Sequence, residues 1–213
     1  MREDLEQQEQ LDAIRGFWND NKRWIVPLIT LLFVSAASFS LWRWYSDRQV
    51  NQASQALVAL QAALSEQSIE KARVAYKALA NDHASTTQAA MGGLQMAKVL
   101  VATGELAEAR GVLETVTQKS ADEFAWVARI RLAGVMLDEN NAKGALEVVS
   151  ATPPKELQPL VNDRKGDALI ALGQKEEARA AWKAAADAFP PQSPTRELVL
   201  RKLQTIDSFA GAQ

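Results

Sequence analysis

Residues 24–42 (WIVPLITLLFVSAASFSLW) carry no charge. At about 1.5 Å per residue, a helix of that length matches the roughly 30 Å hydrocarbon core of a bilayer. Lys22 and Arg23 precede the run and Arg43 follows it. Trp24 marks one end, and Trp42, Trp44 and Tyr45 mark the other, where amphipathic rings sit well at headgroup depth. The pattern predicts one membrane-spanning helix over residues 24–45, with Pro27 in its first turn, where a missing N–H costs little. Ahead of it, Leu11, Ile14, Phe17 and Trp18 recur at helical spacing. A tail of residues 1–23 is therefore expected to hold a short amphipathic helix, lying on the membrane face or meeting a cytoplasmic partner. Its first ten residues are acidic and Gln-rich and are expected to be mobile.

A cleaved signal peptide is the rival reading of the same run, with Ser35-Ala36-Ala37 as a small-residue cleavage site. Against it, the preceding 23 residues are long for a basic leader and carry six acids. The apolar signal also continues through Phe39, Leu41 and Trp42.

Past residue 46 the pattern changes to amphipathic helix throughout. Ala, Leu, Gln, Glu and Lys dominate, all good helix formers, and strand signals are nearly absent. A register recurs within it. In residues 165–190, Gly166 is followed by Gly173, Ala178, Trp182 and Pro190. Ala133, Asn140, Ala145 and Val149 stand in the same places earlier, and Ala97, Gly104, Ala109 and Leu113 earlier again. Leu60, Ala72 and Tyr76 form a fainter copy. The pitches are 37, 36 and 33, and the middle copy has lost its turn glycine. Small residues at tight crossings and a bulky knob on the second helix resemble the tetratricopeptide pattern of stacked helical hairpins.

The expected fold is thus all-α: a single transmembrane helix followed by a helical-hairpin solenoid over residues 46–213. Its repeats fall near 50–84, 88–121, 124–152 and 157–190. Thr152-Pro153-Pro154 and Phe189-Pro190-Pro191 break the chain between elements. A helix over 194–208, with Leu198, Leu200 or Arg201, Leu203 and Ile206, is expected to cap the last face.

Charge adds little to this picture. Beyond residue 48 there are 18 basic and 19 acidic residues, so nothing points to nucleic acid. The 20 residues before the span carry three basic side chains and the 20 after it two, a bias toward a cytoplasmic N-terminal end. With no cysteine, thiolate catalysis and Cys-based zinc sites are excluded. The one histidine, His83, sits in a polar turn with no companion ligands. Glu176 and Glu177 are adjacent on a helix and point apart, and Gly92-Gly93 lacks the lysine of a phosphate loop. No catalytic, cofactor or metal site is read here.

What remains is a surface. On tetratricopeptide geometry, the groove positions are Met91, Leu94, Lys98 and Val101, then Val127, Ile130, Gly134 and Leu137, then Leu160, Asp163, Asp167 and Ile170. The set is mostly apolar and lacks a basic array for clamping a chain-terminal carboxylate. Met91, Leu94, Val127 and Ile130 are expected to form one exposed apolar strip.

The layout as a whole has a further likeness. LDAIRGFW, KRW, the span, LWRWYSDRQ and then VNDRKGDALIALGQKEEARAAWKAA resemble the YfgM-type ancillary subunits of the bacterial SecYEG translocon, over essentially the full chain. That resemblance implies a single-pass inner-membrane protein with a cytoplasmic N-terminus and a periplasmic C-terminal domain. It also implies partners: SecYEG, a PpiD-type membrane-anchored periplasmic chaperone, and secretory polypeptides. The function it implies is that of a non-enzymatic adaptor or chaperone-like subunit. The alternative from the repeats alone is a structural scaffold for envelope assembly or cell division that handles no clients.

Overall fold

The computed structural model describes residues 2–210, and among these every regular element is helical. Residues up to Gln49 form one compact unit and those from Val50 onward another.

The first helix, α1, runs from Arg2 to Ser65. No break separates the expected amphipathic segment at 11–21 from the span, because no glycine or proline punctuates the chain between them except Gly16, which a helix tolerates. Pro27 consequently lies inside the helix and not in its first turn. Its ring nitrogen leaves the Arg23 carbonyl without the usual helical donor. The apolar stretch of α1 is long enough to cross a membrane, and none of it is buried within the protein. Trp24, Trp42, Trp44 and Tyr45 are all exposed. Around the last three, Arg48 lies 5.5 Å over the Trp44 ring and Arg43 reaches Asp47 at 4.0 Å. Thr30 and Ser35 hydroxyls donate to the carbonyls of Val26 and Leu31, so these polar groups are satisfied inside the helix.

From residue 50 the chain folds as stacked hairpins. The end of α1 pairs with α2 (Ile69–Asp82), α3 (Thr87–Ala102) with α4 (Leu106–Lys119), α5 (Asp122–Asp138) with α6 (Ala142–Val148), and α7 (Gln158–Ala171) with α8 (Lys175–Ala188). The four hairpin turns are alike. Gln67, Gly104, Asn140 and Gly173 each take a positive φ, between 56° and 82°. In each, the next residue's N–H reaches back five positions, as Glu105 to Leu100 (2.8 Å), Asn141 to Met136 (2.7 Å) and Gln174 to Leu169 (2.9 Å). This closes the helix ends that would otherwise expose carbonyls. Asparagine takes the left-handed turn of the third hairpin in place of glycine because its short polar side chain tolerates that conformation. The turn residues recur at 37, 36 and 33, the pitches of the sequence register.

Each turn is followed five residues later by an alanine with no exposed surface: Ala72, Ala109, Ala145 and Ala178. Their counterparts on the first helices, Leu60, Ala97, Ala133 and Gly166, are also buried. Glycine is needed at the last of these, since a Cβ there would run into the indole of Trp182. Gly92 and Gly93 serve the same end in α3: added methyls would meet Leu79 at 2.6 Å and the side chain of Val116. Those crossings let α3 sit close to both α2 and α4.

The last helix, α9 (Pro194–Ala210), packs on α8 and closes the stack. It buries Val199 completely, while Leu198 is 57% exposed. The capping face is therefore Val199 and Ile206 with Leu200 and Leu203, so Val199 takes the place expected for Leu198 while Leu200, Leu203 and Ile206 face the stack.

Candidate functional site

The first helices α3, α5 and α7 lie side by side and form an inner row. Between them is a cleft of about 500 Å³. Ala97, Lys98 and Val101 come from α3, Arg131, Gly134, Val135, Leu137 and Asp138 from α5, and Arg164 and Asp167 from α7, with Leu113 of α4 behind. The size is that of a pocket for a small ligand or for a few peptide side chains.

Of the expected groove residues, the structure gathers Lys98, Val101, Gly134, Leu137 and Asp167 in this cleft. It places the others elsewhere. Leu94 is 9% exposed and belongs to the core, and Val127 and Ile130 pack against that core. Only Met91 of the expected apolar strip is exposed. The reason is that Leu94, Val127 and Ile130 join the core shared by α2 to α6, which covers them from the neighbouring helices. Leu160 is half-buried outside the cleft, and Ile170 packs into the cluster formed by α8 and α9.

Asp163 and Asp167 are held by α9. The Lys202 ammonium lies 2.7 Å from Asp163 and 2.5 Å from Asp167. The indole N–H of Trp182 donates both to the Asp163 carbonyl and to the Asp167 carboxylate, each at 3.1 Å. Arg164 adds a bond to Asp167 at 3.2 Å. Burial pushes the Asp163 carboxyl above its ordinary value of 3.8, and the Asp167 charge adds to that push, while Lys202 opposes it. An acid raised in the folded state contributes stability that is complete below its unfolded value and is lost as pH rises through the folded one. Asp163→Asn should therefore compare progressively better with the parent as pH rises from about 4 toward neutral. Thermal melts of both proteins across that range check this; a difference independent of pH would contradict it.

Register positions overlooked Arg131 and Arg164, which lie two residues before the crossing residues Ala133 and Gly166, 33 apart. The signal was available in the repeat, since each arginine stands three residues before a cleft position, Gly134 or Asp167, and so shares its helix face. Arg131 donates to the Leu94 carbonyl at 3.0 Å, across from α5 to α3. Arg164 lies against Gly134, where a Cβ would stand 3.6 Å from its guanidinium carbon.

A second cleft of about 560 Å³ lies on α2 and α4, bordered by Arg73, Val74, Tyr76, Lys77 and Glu108. Its arginine is already neutralised: Arg73 binds Glu70, Glu105 and Glu108. Burial pushes the Tyr76 hydroxyl there up to about 12. Among the described residues no cluster has the makings of a metal site.

A stack of paired helices with an inner cleft and buried alanines at each crossing defines a tetratricopeptide-like repeat protein. The sequence profile of the tetratricopeptide repeat-like domain matches residues 15–208, and the chain belongs to that family. Along nearly its whole length it is similar to proteins named ancillary SecYEG translocon subunit. The relative from Escherichia coli (strain K12) is 27% identical over 92% of this chain and 95% of its own. That from Neisseria gonorrhoeae (strain ATCC 700825 / FA 1090) is 26% identical over 95% and 98%, and that from Aggregatibacter actinomycetemcomitans 24% over 85% and 89%. A solved structure titled "MamA RS-1 ArsTM double mutant" shares the fold, with a TM-score of 0.50 at 19% identity over 76% of this chain and 97% of that one.

Proposed function

We propose that this chain is a non-enzymatic ancillary subunit of a SecYEG-type translocon, anchored in the bacterial inner membrane by α1. On this reading the N-terminal end is cytoplasmic and the repeat domain periplasmic. The domain binds partner proteins, a PpiD-type membrane-anchored chaperone among them, or segments of secretory polypeptides, and presents them near the translocon exit. The observation that carries the reading is similarity over nearly the full length to three proteins of that name, apolar helix and repeats together. The inner cleft supplies a surface suited to polypeptide.

The test is purification of the tagged full chain from membranes in mild detergent. SecY and a membrane-anchored periplasmic chaperone are expected to dominate what comes with it. A preparation with neither would overturn the proposal. Protease added to spheroplasts should remove the repeat domain and leave a membrane-protected fragment containing residues 24–45; full protection would reverse the orientation.

A further inference from the structure

The inner cleft carries more positive charge than its own neighbours neutralise. Lys98 is exposed, and among the described residues it has neither an ion pair nor a hydrogen bond. Arg131 spends one of its five donors on the Leu94 carbonyl, and no carboxylate pairs with it. Arg164 shares its single acid, Asp167, with Lys202 and Trp182, and its Nε is buried without a partner. Against these three cations the cleft offers one acid not already held, Asp138. The remaining wall is apolar: Ala97, Val101, Val135 and Leu137.

Charge and shape together select an occupant. A purely apolar segment would leave Arg131 and Arg164 covered with donors unpaired, which is costly. A basic segment would be repelled. A carboxylate flanked by apolar side chains meets both needs, because ionised acceptors make the strongest bonds to guanidinium groups. The bond from Arg131 to α3 limits how far its head can wander, so little order is lost on binding.

We infer that the α3–α5–α7 cleft binds an extended polypeptide segment through an internal Asp or Glu side chain, held by Arg131, Arg164 and Lys98, with apolar neighbours on Val101, Val135 and Leu137. The inference rests on the reading of this domain as a binder of polypeptides and adds which polypeptides it selects.

The experiment uses the full chain in nanodiscs and a short fluorescent peptide, blocked at both ends, with a central Glu between leucines. Its Gln and Lys counterparts, and a version with a free C-terminal carboxylate and no Glu, complete the set. The Glu peptide should bind about tenfold more tightly than the Gln peptide, and the preference should shrink with added salt. Lys98→Glu and Arg131→Gln should each reduce the preference, and Gly134→Leu, which fills the cleft and crowds the Arg164 guanidinium, should abolish binding of every peptide. Thermal melts confirm that each variant is folded; Lys98→Glu lies on an exposed position and keeps the test standing if Arg131→Gln does not fold. Equal binding of Glu and Gln peptides overturns the inference, as does an unchanged preference in folded Lys98→Glu. Binding of the free-carboxylate peptide alone overturns it in favour of a chain-end site. SecY co-purifying with a protein that shows no Glu preference removes this inference and leaves the translocon reading intact; the opposite pair of results does the reverse.

Discussion

Trp182→Ala is expected to cost the repeat domain about 3–5 kcal/mol. Trp182 is 4% exposed and sits where α7, α8 and α9 meet. Its ring occupies the space that Gly166 leaves by lacking a Cβ, so truncation opens a cavity that the rigid helix backbones cannot close. The same change removes the donor shared by the Asp163 carbonyl and the Asp167 carboxylate. It also removes the aromatic face beneath Lys202, whose ammonium lies 5.5 Å from the ring centroid. Because each hairpin of a solenoid is supported mainly by its neighbours, the loss falls on the closing helices first. A melting temperature lowered by roughly 10 °C or more, read by circular dichroism on the full chain, is the expected result. Gly166→Ala should act at the same spot from the opposite side, by overpacking, at about 1–3 kcal/mol. If both proteins melt with the parent, the crossing of α7 and α8 is not where the structure puts it.

Leu94→Glu is expected to be comparably damaging. Taken from repeat geometry alone, Leu94 is a groove residue, and a charge there would impair binding and spare the fold. In the structure Leu94 is buried in the main core, and its backbone carbonyl receives Arg131. A carboxylate at that place loses the leucine's packing and must shed most of its water, together about 3–5 kcal/mol. Lys98→Glu, one turn further along the same helix and exposed, should change stability by about 0.5 kcal/mol or less. The contrast between the two melts separates core from cleft. A Leu94→Glu protein as stable as the parent would return Leu94 to an open groove.

The difference between these two residues shows where local pattern stops. One-dimensional features were legible from the chain itself: an uncharged run as long as a bilayer is thick, an all-helical composition, and a register of small residue, turn and alanine. Each is a matter of spacing along one helix or of a conformation one residue must adopt. Asn140 illustrates the point, since the lost glycine is replaced by the residue type best able to take a left-handed turn. The expected place of Pro27 in a first helical turn is a local inference too, but the helix runs on ahead of it and is long enough to carry an interior proline.

What only the tertiary structure decided is which face of each helix meets a neighbour, and how deeply. Burial depends on the distance between helices, and that distance is set by pairs of residues far apart in sequence, such as Gly166 with Trp182 or Gly93 with Val116. The core shared by the neighbouring helices covers Leu94 and takes in Val127 and Ile130, and on α9 it takes Val199 in place of Leu198. The cleft's charge follows the same rule. Arg131 and Arg164 come from different helices and are brought together by their neighbours, Arg131 reaching the Leu94 carbonyl of α3 and Arg164 lying against Gly134 of α5. Spacing along a chain fixes which residues share a helix face, but only the packed neighbours determine whether that face is core, cleft or surface.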